Sequence, residues 1–440
     1  MKYRFLLLVL LVFFGLSQTY AQQITELTLK QAVDLALTNS DDSKIADAKV
    51  NTAMGELNVT KNNQYPDFDI SGQYLYLTNA DVNLQISTTE SDPDPDEASD
   101  AGTPNVDQLL LGQATVSMPL FSGFKLKNLL KAGENQYKAA ISSAKNDKEQ
   151  LALQTISTYI NLYKANKTVE LVTENLKSTE QRVKDFQAME ENGLLARNDL
   201  LKAQLQQSNV ALTLQEAIKN RNILNYRLTV FLKLPAGSQI NPSDASFGPA
   251  PEMVENEITR SDLDALQYQE EAAQNQIKVA QSKFYPSLAL TGGYIALDLH
   301  NALTVKNAMN VGVGLSYNLA DIFKAKSDVK VAQSRVEELK FNVDKVSDQI
   351  KVQVENKRQD YELELKKFEV YTKSEEQAVE NYRIVKDKYD NGLVDTNDLL
   401  EADVQQLQAK INLTYSQADI TQKYYELLTA KGQLTDQFIQ

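Results

Sequence analysis

The feature that most constrains this chain is a fifteen-residue segment that occurs twice. Residues 192–206 read NGLLARNDLLKAQLQ and residues 391–405 read NGLVDTNDLLEADVQ, with nine identical positions at an offset of 199. Helical patterning leads into and out of each copy, so each Asn-Gly pair predicts a tight turn between two long helices. Such an internal repeat indicates a chain built from two related halves.

The distribution of proline supports long helices in both halves. All ten prolines lie outside residues 120–234 and 287–440. Because proline breaks the interior of a helix, such long intervals without it indicate uninterrupted helix. We predict a helix from about Phe323 to Tyr389, which at 1.5 Å per residue is about 100 Å long. Its apolar residues follow the 4-3 alternation of a coiled-coil seam: Leu339, Val343, Val346, Ile350, Val354, Tyr361, Leu365 and Phe368.

Each half also contains a region whose apolar residues repeat with the period of two that is typical of strands. A helix over residues 28–63, and another over residues 261–284, ends at a Tyr-Pro pair that precedes this region. The predicted strands cover residues 67–78, 109–119, 287–298 and 308–318. Their apolar positions are Phe68, Ile70, Gly72, Tyr74 and Tyr76; Leu110, Gly112, Ala114, Val116 and Met118; Leu288, Leu290, Gly292, Tyr294 and Ala296; and Met309, Val311, Val313, Leu315 and Tyr317. The fold class is therefore mainly α with a small β part, in two repeats of helix, β-hairpin, long helix and helix.

Two segments separate these elements. Residues 79–108 join the first two strands and are acidic and poor in apolar residues, which predicts a solvated loop. A calcium site is the alternative, but the carboxylates lack the EF-hand spacing with its central Gly and terminal Glu. Residues 236–260 form a proline-rich linker, so the repeats cover residues 22–235 and 261–440.

The first 21 residues resemble a secretory signal. Lys2 and Arg4 precede an apolar run, and we expect cleavage after Ala21; an uncleaved anchor helix is the alternative. Removing the signal changes the net charge from −14 to −16, which disfavours nucleic acid as a partner. The chain has no cysteine, so we expect neither disulfides nor a lipid anchor.

Composition also disfavours catalysis. The chain has one histidine, His300, and no cysteine, so most nucleophiles and metal sites are excluded, and we expect neither an enzyme nor a bound cofactor or metal. After the signal, the chain contains no apolar run of the ~18–20 residues that a transmembrane helix needs. An integral membrane protein of this sequence would have to be a β-barrel, and four strands close a barrel only through oligomerisation.

The sequence resembles the TolC-type outer membrane factor family over essentially its whole length after the signal. The resemblance is carried by the duplicated plan, the two Tyr-Pro pairs, PLFSGF at residues 119–124 and the two NGL…NDLL turns. It implies a homotrimer in which three copies form a 12-stranded barrel in outer membrane lipid, continued by a coiled-coil α-barrel in the periplasm. In the second repeat Asn318 and Ile322 replace Pro119 and Gly123, so the following helix is expected to start differently.

The function implied by this resemblance is a passive exit duct of a tripartite efflux pump or a type I secretion system. Its partners would be a periplasmic adaptor protein and an inner-membrane pump. Residues 79–108 would be an extracellular loop, and the linker at 236–260 would lie in an equatorial region. A secreted coiled-coil structural protein or adhesin without a pore is the alternative from the residues alone.

The resemblance also places a resting gate at the two turns, residues 189–198 and 389–397. Tyr389, Asp398 and Glu401 align with the family's linking tyrosine and acidic aperture positions, while Asn198 and Asp199 align with their partners. The family's gate arginine falls on Val394, so Arg197 of the first turn is a candidate for supplying that link. The turns that would dock the adaptor contain Asn192, Gly193, Leu194, Asn391, Gly392 and Leu393.

Two interpretations of the acidic pair follow from its spacing. Asp398 and Glu401 are three residues apart and share one helix face, so three copies would place six carboxylates in a ring that selects cations. Alternatively, both are ordinary acids of a first helical turn, where the helix dipole favours them.

Overall fold

The computed structural model of the protein describes residues 24–81, 105–249 and 257–438. The predicted signal at residues 1–21 and the middle of the acidic loop, residues 82–104, lie outside the described residues. Two compact units are present. One comprises Met1–Val50, Ala140–Ala265 and Val343–Gln440, and the other comprises Asn51–Ala139 and Leu266–Asn342.

The described elements follow the predicted order in both halves. The strands are β1 (Ile24–Leu27), β2 (Asp67–Asp81), β3 (Asn105–Ser122), β4 (Gln239–Pro242), β5 (Ser287–Leu299) and β6 (Leu303–Ser316). The helices are α1 (Leu29–Asn39), α2 (Asp41–Asn62), α3 (Lys125–Glu191), α4 (Arg197–Phe231), α5 (Ser261–Gln281), α6 (Leu319–Asp390) and α7 (Thr396–Lys431). The fold is mainly helical with a small sheet, as predicted. Within the described part of the chain, no helix combines the length and the apolar composition needed to cross a membrane.

The second unit contains an antiparallel four-stranded sheet in the order β2-β3-β5-β6. Phe68 pairs with Val116, Val116 pairs with Gly292, and Gly292 pairs with Val311. Because side chains alternate between the faces of a strand, this register places the predicted apolar positions of all four strands on one face. β2 and β6 are the edge strands, and their apolar side chains are largely exposed in the single chain.

The connections around the sheet differ between the repeats, as the sequence predicted. Between β3 and α3, Gly123 has a φ of +61°, and a Cβ there would lie 2.5 Å from the carbonyl oxygen of Ser282. Only glycine tolerates both conditions. In the second repeat, Asn318 instead accepts a hydrogen bond from the backbone N–H of Ala320 at 3.1 Å and caps the start of α6.

The predicted seam of α6 is observed, whereas the predicted helix over residues 28–63 is wrong in one respect. All eight seam residues of α6 are buried or half-buried, and Ile350 and Tyr361 are fully buried. The earlier helix is divided into α1 and α2 by Ser40, whose backbone is extended. The Ser40 hydroxyl accepts a hydrogen bond from the N–H of Ser43, which favours a new helix start at this point.

The core of the first unit surrounds Tyr159 of α3. Its hydroxyl donates to the backbone carbonyl of Leu27 at 2.6 Å and accepts from the N–H of Ser243 at 2.9 Å. These bonds hold the parallel pair of β1 and β4, which the sequence did not predict. Each of these strands has four residues, too few to show a periodic pattern.

Candidate gate at the helical turns

The helices that lead into the two repeated turns end with the same backbone hydrogen bonds. The N–H of Gly193 donates to the carbonyl of Glu190, and that of Leu194 donates to Met189; Gly392 and Leu393 donate to Tyr389 and Lys388 in the same way. This is a Schellman motif, in which a left-handed residue ends the helix. The φ angles of Gly193 and Gly392, +74° and +70°, fit that requirement.

Side chains reinforce this symmetry and leave one apolar residue exposed on each turn. Asn192 Nδ2 donates to the carbonyl of Ala188, and Asn391 Nδ2 donates to that of Asp387, both at 2.7 Å. Leu194 and Leu393, which follow the glycines, are 74% and 73% exposed. The turns therefore present rigid backbone with a projecting leucine.

Asp398 takes part in the start of α7. The Asp395 side chain accepts from the N–H groups of Asn397 and Asp398, and Asp398 Oδ2 accepts from the N–H of Asp395 at 3.4 Å. This reciprocal arrangement is a capping box. Asp398 thus has a structural contact of its own, in addition to the aperture position that the resemblance assigns to it.

The acidic pair on α7 is solvent-facing. Asp398 and Glu401 are both exposed, and Glu401 Oε1 accepts a hydrogen bond from Gln405 Nε2 at 3.0 Å. Their neighbours Leu399 and Ala402 are buried, which fixes the orientation of α7. The two carboxylates therefore project on the side of α7 that faces away from its packed residues.

Tyr389 joins the two coiled-coil halves by packing rather than by a hydrogen bond. Its ring stacks on Phe186 of α3, with centroids 5.6 Å apart. Its hydroxyl is buried, and no side chain of the described residues meets hydrogen-bond geometry with it. Burial raises the pKa of Tyr389; nearby Thr396 lowers it, and the neighbouring Asp199 carboxylate raises it further.

Of the first-turn residues named as candidates from the sequence, Arg197 and Asp199 form contacts inside their own coil. Arg197 Nη1 lies 3.3 Å from Glu190 Oε1, and its side chain is 73% exposed. Asp199 Oδ1 accepts from Lys202 Nζ at 3.3 Å. Asn198 is exposed. Lys202 occupies the position equivalent to Glu401. The helix after the first turn therefore has one acid, Asp199, paired with a lysine, whereas the helix after the second turn has two solvent-facing acids.

A deeply buried ion pair near the turns involves residues that the sequence did not single out. Arg182 Nη1 of α3 donates to Asp403 Oδ2 of α7 at 3.0 Å, and Arg182 Nη2 donates to the Tyr382 hydroxyl of α6 at 3.1 Å. The Arg182 and Asp403 side chains are only 9% and 4% exposed. A single buried guanidinium therefore connects three helices. The sequence feature that could have indicated this buried pair is Asp403, a charged residue four positions after Leu399 within the apolar stripe of α7.

The profile of the family described as "Outer membrane efflux protein" matches residues 32–232 and 255–433. Among individual sequences, the chain is similar to the outer membrane efflux protein BepC of Brucella suis biovar 1 (strain 1330). The two are 21% identical over 344 residues, which cover 76% of this chain and 75% of BepC.

Solved structures show the same fold. The CmeC outer membrane channel of Campylobacter jejuni superposes with a TM-score of 0.76 at 18% identity, covering 92% of this chain and 86% of CmeC. CusC, whose structures are described in terms of transmembrane channel formation, superposes with a TM-score of 0.76 at 18% identity and covers 95% of each chain.

Proposed function

Because the chain belongs to the outer membrane efflux protein family, we propose that it is the passive exit duct of a tripartite efflux pump or a type I secretion system. The family assignment confirms the resemblance seen in the sequence, the outer membrane location and the prediction that the chain is not an enzyme. The assembly, the gate and the partners are our proposals. Cargo selection and energy would come from the inner-membrane pump, since the duct is passive.

The proposed assembly is a homotrimer closed through its sheets. β2 and β6 are unpaired edges, and exposed edges invite pairing with another chain. On the apolar face, Ile70 of β2 is 81% exposed and Val311 of β6 is 83% exposed, as expected for side chains that meet lipid. Three copies would join edge to edge as twelve strands, a size at which a transmembrane barrel can close.

The proposed gate lies at the second turn. Asp398 and Glu401 would line the periplasmic aperture, and Tyr389 would hold α6 against α3 beside it. Arg197, Asn198 and Asp199 would brace the first turn. The solvent-facing orientation of the two acids supports this role.

The proposed adaptor contact is made by the tips of the two turns. Asn192, Gly193 and Leu194 are equivalent to Asn391, Gly392 and Leu393, so both turns present one geometry and a partner could bind each in the same way. An exposed leucine on a rigid backbone suits a small apolar pocket on such a partner.

The proposed duct can be tested by fractionation and electrophoresis. We expect the protein in the outer membrane fraction, running as a trimer that dissociates to monomer only on heating. Recovery as a monomeric periplasmic rod would instead support the alternative of a coiled-coil adhesin or structural protein.

Adaptor docking can be tested by site-specific photo-crosslinking in cells from Ala196 and Leu393. Both positions are exposed and neither side chain caps a helix, whereas Asp395 caps α7 and is unsuitable. We expect both to capture a periplasmic adaptor. Asn209, exposed on α4 about 20 Å from Ala196, is the control and should capture less. Equal capture from all three positions would contradict docking at the tips.

A further inference from the structure

A groove lies where β3 passes into α3, within the unit that contains the sheet. Its volume is about 480 Å³, inside the range of small-molecule sites, about 300–1,000 Å³. The lining combines apolar residues of the junction with charged residues of α3, and it includes Phe121, Phe124, Lys127, Leu130, Lys131 and Glu134. We call it the junction groove.

The junction groove continues the apolar face of the sheet. Met118 of β3 pairs with Leu290, and both belong to that face. A register shift between Pro119 and Phe121 then brings Phe121 opposite Leu288, which lies on the same face as Leu290. Because Phe121 lines the groove, the apolar surface extends without a break from the sheet to the start of α3.

A strained backbone holds an exposed aromatic ring in this groove. Phe124 has a φ of +66°, in the left-handed region that bulky residues rarely adopt. Its carbonyl accepts hydrogen bonds from the N–H and the side-chain amide of Asn128, at 3.1 and 3.0 Å, which fix this conformation. The ring packs edge-on against Phe121 and Tyr285, yet it remains 53% exposed. Strain that leaves a ring exposed points to a ligand, and exposed aromatic rings concentrate where a membrane protein meets the membrane–water interface.

The charge beside this ring is opposite in sign to that of the chain. The first fifteen residues of α3, Lys125–Ala139, contain four lysines and one acid, whereas the chain has a net charge of −14. Lys127 and Lys131 are one turn apart on α3, both are exposed, and neither forms an ion pair with a described residue. The acid, Glu134, lies about one turn further from the sheet. The groove therefore places two unpaired cations beside an apolar wall.

We propose that the junction groove binds an anionic glycerophospholipid of the leaflet that faces the periplasm. This inference rests on the duct proposed above, in which the sheet lies in lipid and the helices continue beyond it. The acyl chains would lie against Phe121 and the apolar face of the sheet, and the phosphate would lie beside Lys127 and Lys131. Basic pockets at a membrane surface recognise anionic headgroups in this way.

A second copy of the chain does not suit the groove as an occupant. The lining residues of β3 belong to an interior strand, which pairs with β2 on one side and β5 on the other. Copies that join through the edge strands β2 and β6 would meet away from β3. The groove would therefore remain open to lipid in the assembled trimer.

The lipid site can be tested on the purified trimer in a nonionic detergent, with bound lipid counted by native mass spectrometry. The probes are dioleoyl-phosphatidylglycerol, which is anionic, and dioleoyl-phosphatidylcholine, which has the same acyl chains and no net charge. We expect the unaltered protein to bind phosphatidylglycerol more tightly. Lys127→Gln with Lys131→Gln should weaken that binding by about tenfold or more. The matched control is Lys177→Gln with Lys184→Gln, at exposed positions further along α3, and it should keep the original affinity.

Two further variants separate lipid recognition from a structural role. Glu134→Gln removes the acid of the groove and should strengthen the binding of phosphatidylglycerol, a change that loss of a structural contact would not produce. Phe124→Gly suits the left-handed backbone, so it should keep or raise the Tm while it weakens the binding of both lipids.

Equal binding of the two lipids by the unaltered trimer would overturn the lipid site. Phosphatidylglycerol binding that survives the loss of both lysines would overturn it as well. Either result, obtained with a trimer that fractionates with the outer membrane, leaves the proposed duct standing. Absence of any heat-dissociable trimer from the unaltered chain would instead contradict the duct itself.

Discussion

At the scale of single residues, the Arg182–Asp403 pair has the clearest energetic consequence. Burial on its own disfavours the charged guanidinium, but the contacts with Asp403 and Tyr382 outweigh it and raise the pKa of Arg182 above its ordinary value. A buried pair contributes little net stability relative to apolar residues of similar size, yet removing one partner leaves an uncompensated buried charge. The pair therefore constrains how α3, α6 and α7 can pack.

We expect Arg182→Gln to destabilise the purified protein by roughly 3–5 kcal/mol, because Asp403 would remain buried without its cation. Arg197→Gln is the matched control: that guanidinium is 73% exposed, and its pair with Glu190 should contribute at most about 1 kcal/mol. Denaturant unfolding in detergent measures both. The double variant Arg182→Leu/Asp403→Leu should recover part of the loss. Equal, small effects of Arg182→Gln and Arg197→Gln would contradict the assignment.

The sequence predicted the two turns better than it predicted the side-chain contacts around them. The repeated Asn-Gly pairs identified both Schellman turns because glycine is needed there for a local reason. The partner of Arg182 is 221 residues away in the chain, and helix packing across such a distance leaves no local pattern. Asp398 illustrates the same limit, since its capping contact follows from local spacing, whereas its proposed place in an aperture would depend on other copies.

At the scale of elements, polar contacts fix the register of α6 against α7. Lys357 Nζ donates to Glu426 Oε2 at 2.8 Å, and Glu364 Oε1 accepts from the Ser416 hydroxyl at 3.2 Å. Glu364 is nearly buried although it lies among the apolar residues of the α6 seam. These bonds specify one alignment among the several that an apolar seam allows.

We expect Glu426 to contribute to stability above acidic pH. Burial by itself raises the pKa of Glu426, but the contacts from Lys357 and Lys423 outweigh it and lower the pKa below 4.5. A carboxyl whose pKa is lowered by folding stabilises the protein above its unfolded pKa, and this contribution is lost as pH falls through the folded pKa. The Tm of the unaltered protein should therefore fall more steeply below about pH 4.5 than that of Glu426→Gln.

The control for this titration is Glu376→Gln, a change at an exposed position of α6 that should keep the original dependence of Tm on pH. Identical pH profiles for the unaltered protein and Glu426→Gln would show that this contact does not stabilise the α6–α7 pair. The measurement is made in one detergent at constant ionic strength, because screening weakens the lysine contacts.

Element types and lengths were predictable where a periodic pattern was long enough. The interval without proline and the 4-3 spacing predicted α6 to within a few residues of its observed bounds, Leu319–Asp390. The break at Ser40 was missed because apolar spacing continues on both sides of it, although the hydroxyl contact that restarts the helix is a local one from Ser40 to Ser43. The apolar face of each strand was predictable from the period of two, because a shift by one residue would have turned every apolar side chain to the other face.

At the scale of the whole molecule, the function of the proposed trimer would depend on which residues the three copies bring together. The internal repeat gives each chain two similar turns, but only the second carries two solvent-facing acids, since Lys202 replaces Glu401 in the first. Threefold symmetry would thus produce one ring of six carboxylates at the periplasmic aperture. Charged rings at a narrow mouth concentrate cations and repel anions.

We expect Asp398→Asn with Glu401→Gln to reduce the cation selectivity of the channel in planar bilayers, measured as the reversal potential in a salt gradient. Asparagine keeps an oxygen that can accept from the N–H of Asp395, so the capping box persists and a change in selectivity reports charge rather than unfolding of α7. Glu216→Gln, at an exposed position on α4, is the control and should leave the reversal potential unchanged. If neutralising the two acids leaves it unchanged as well, Asp398 and Glu401 act only at the start of α7, and the selective ring must be sought elsewhere in the duct.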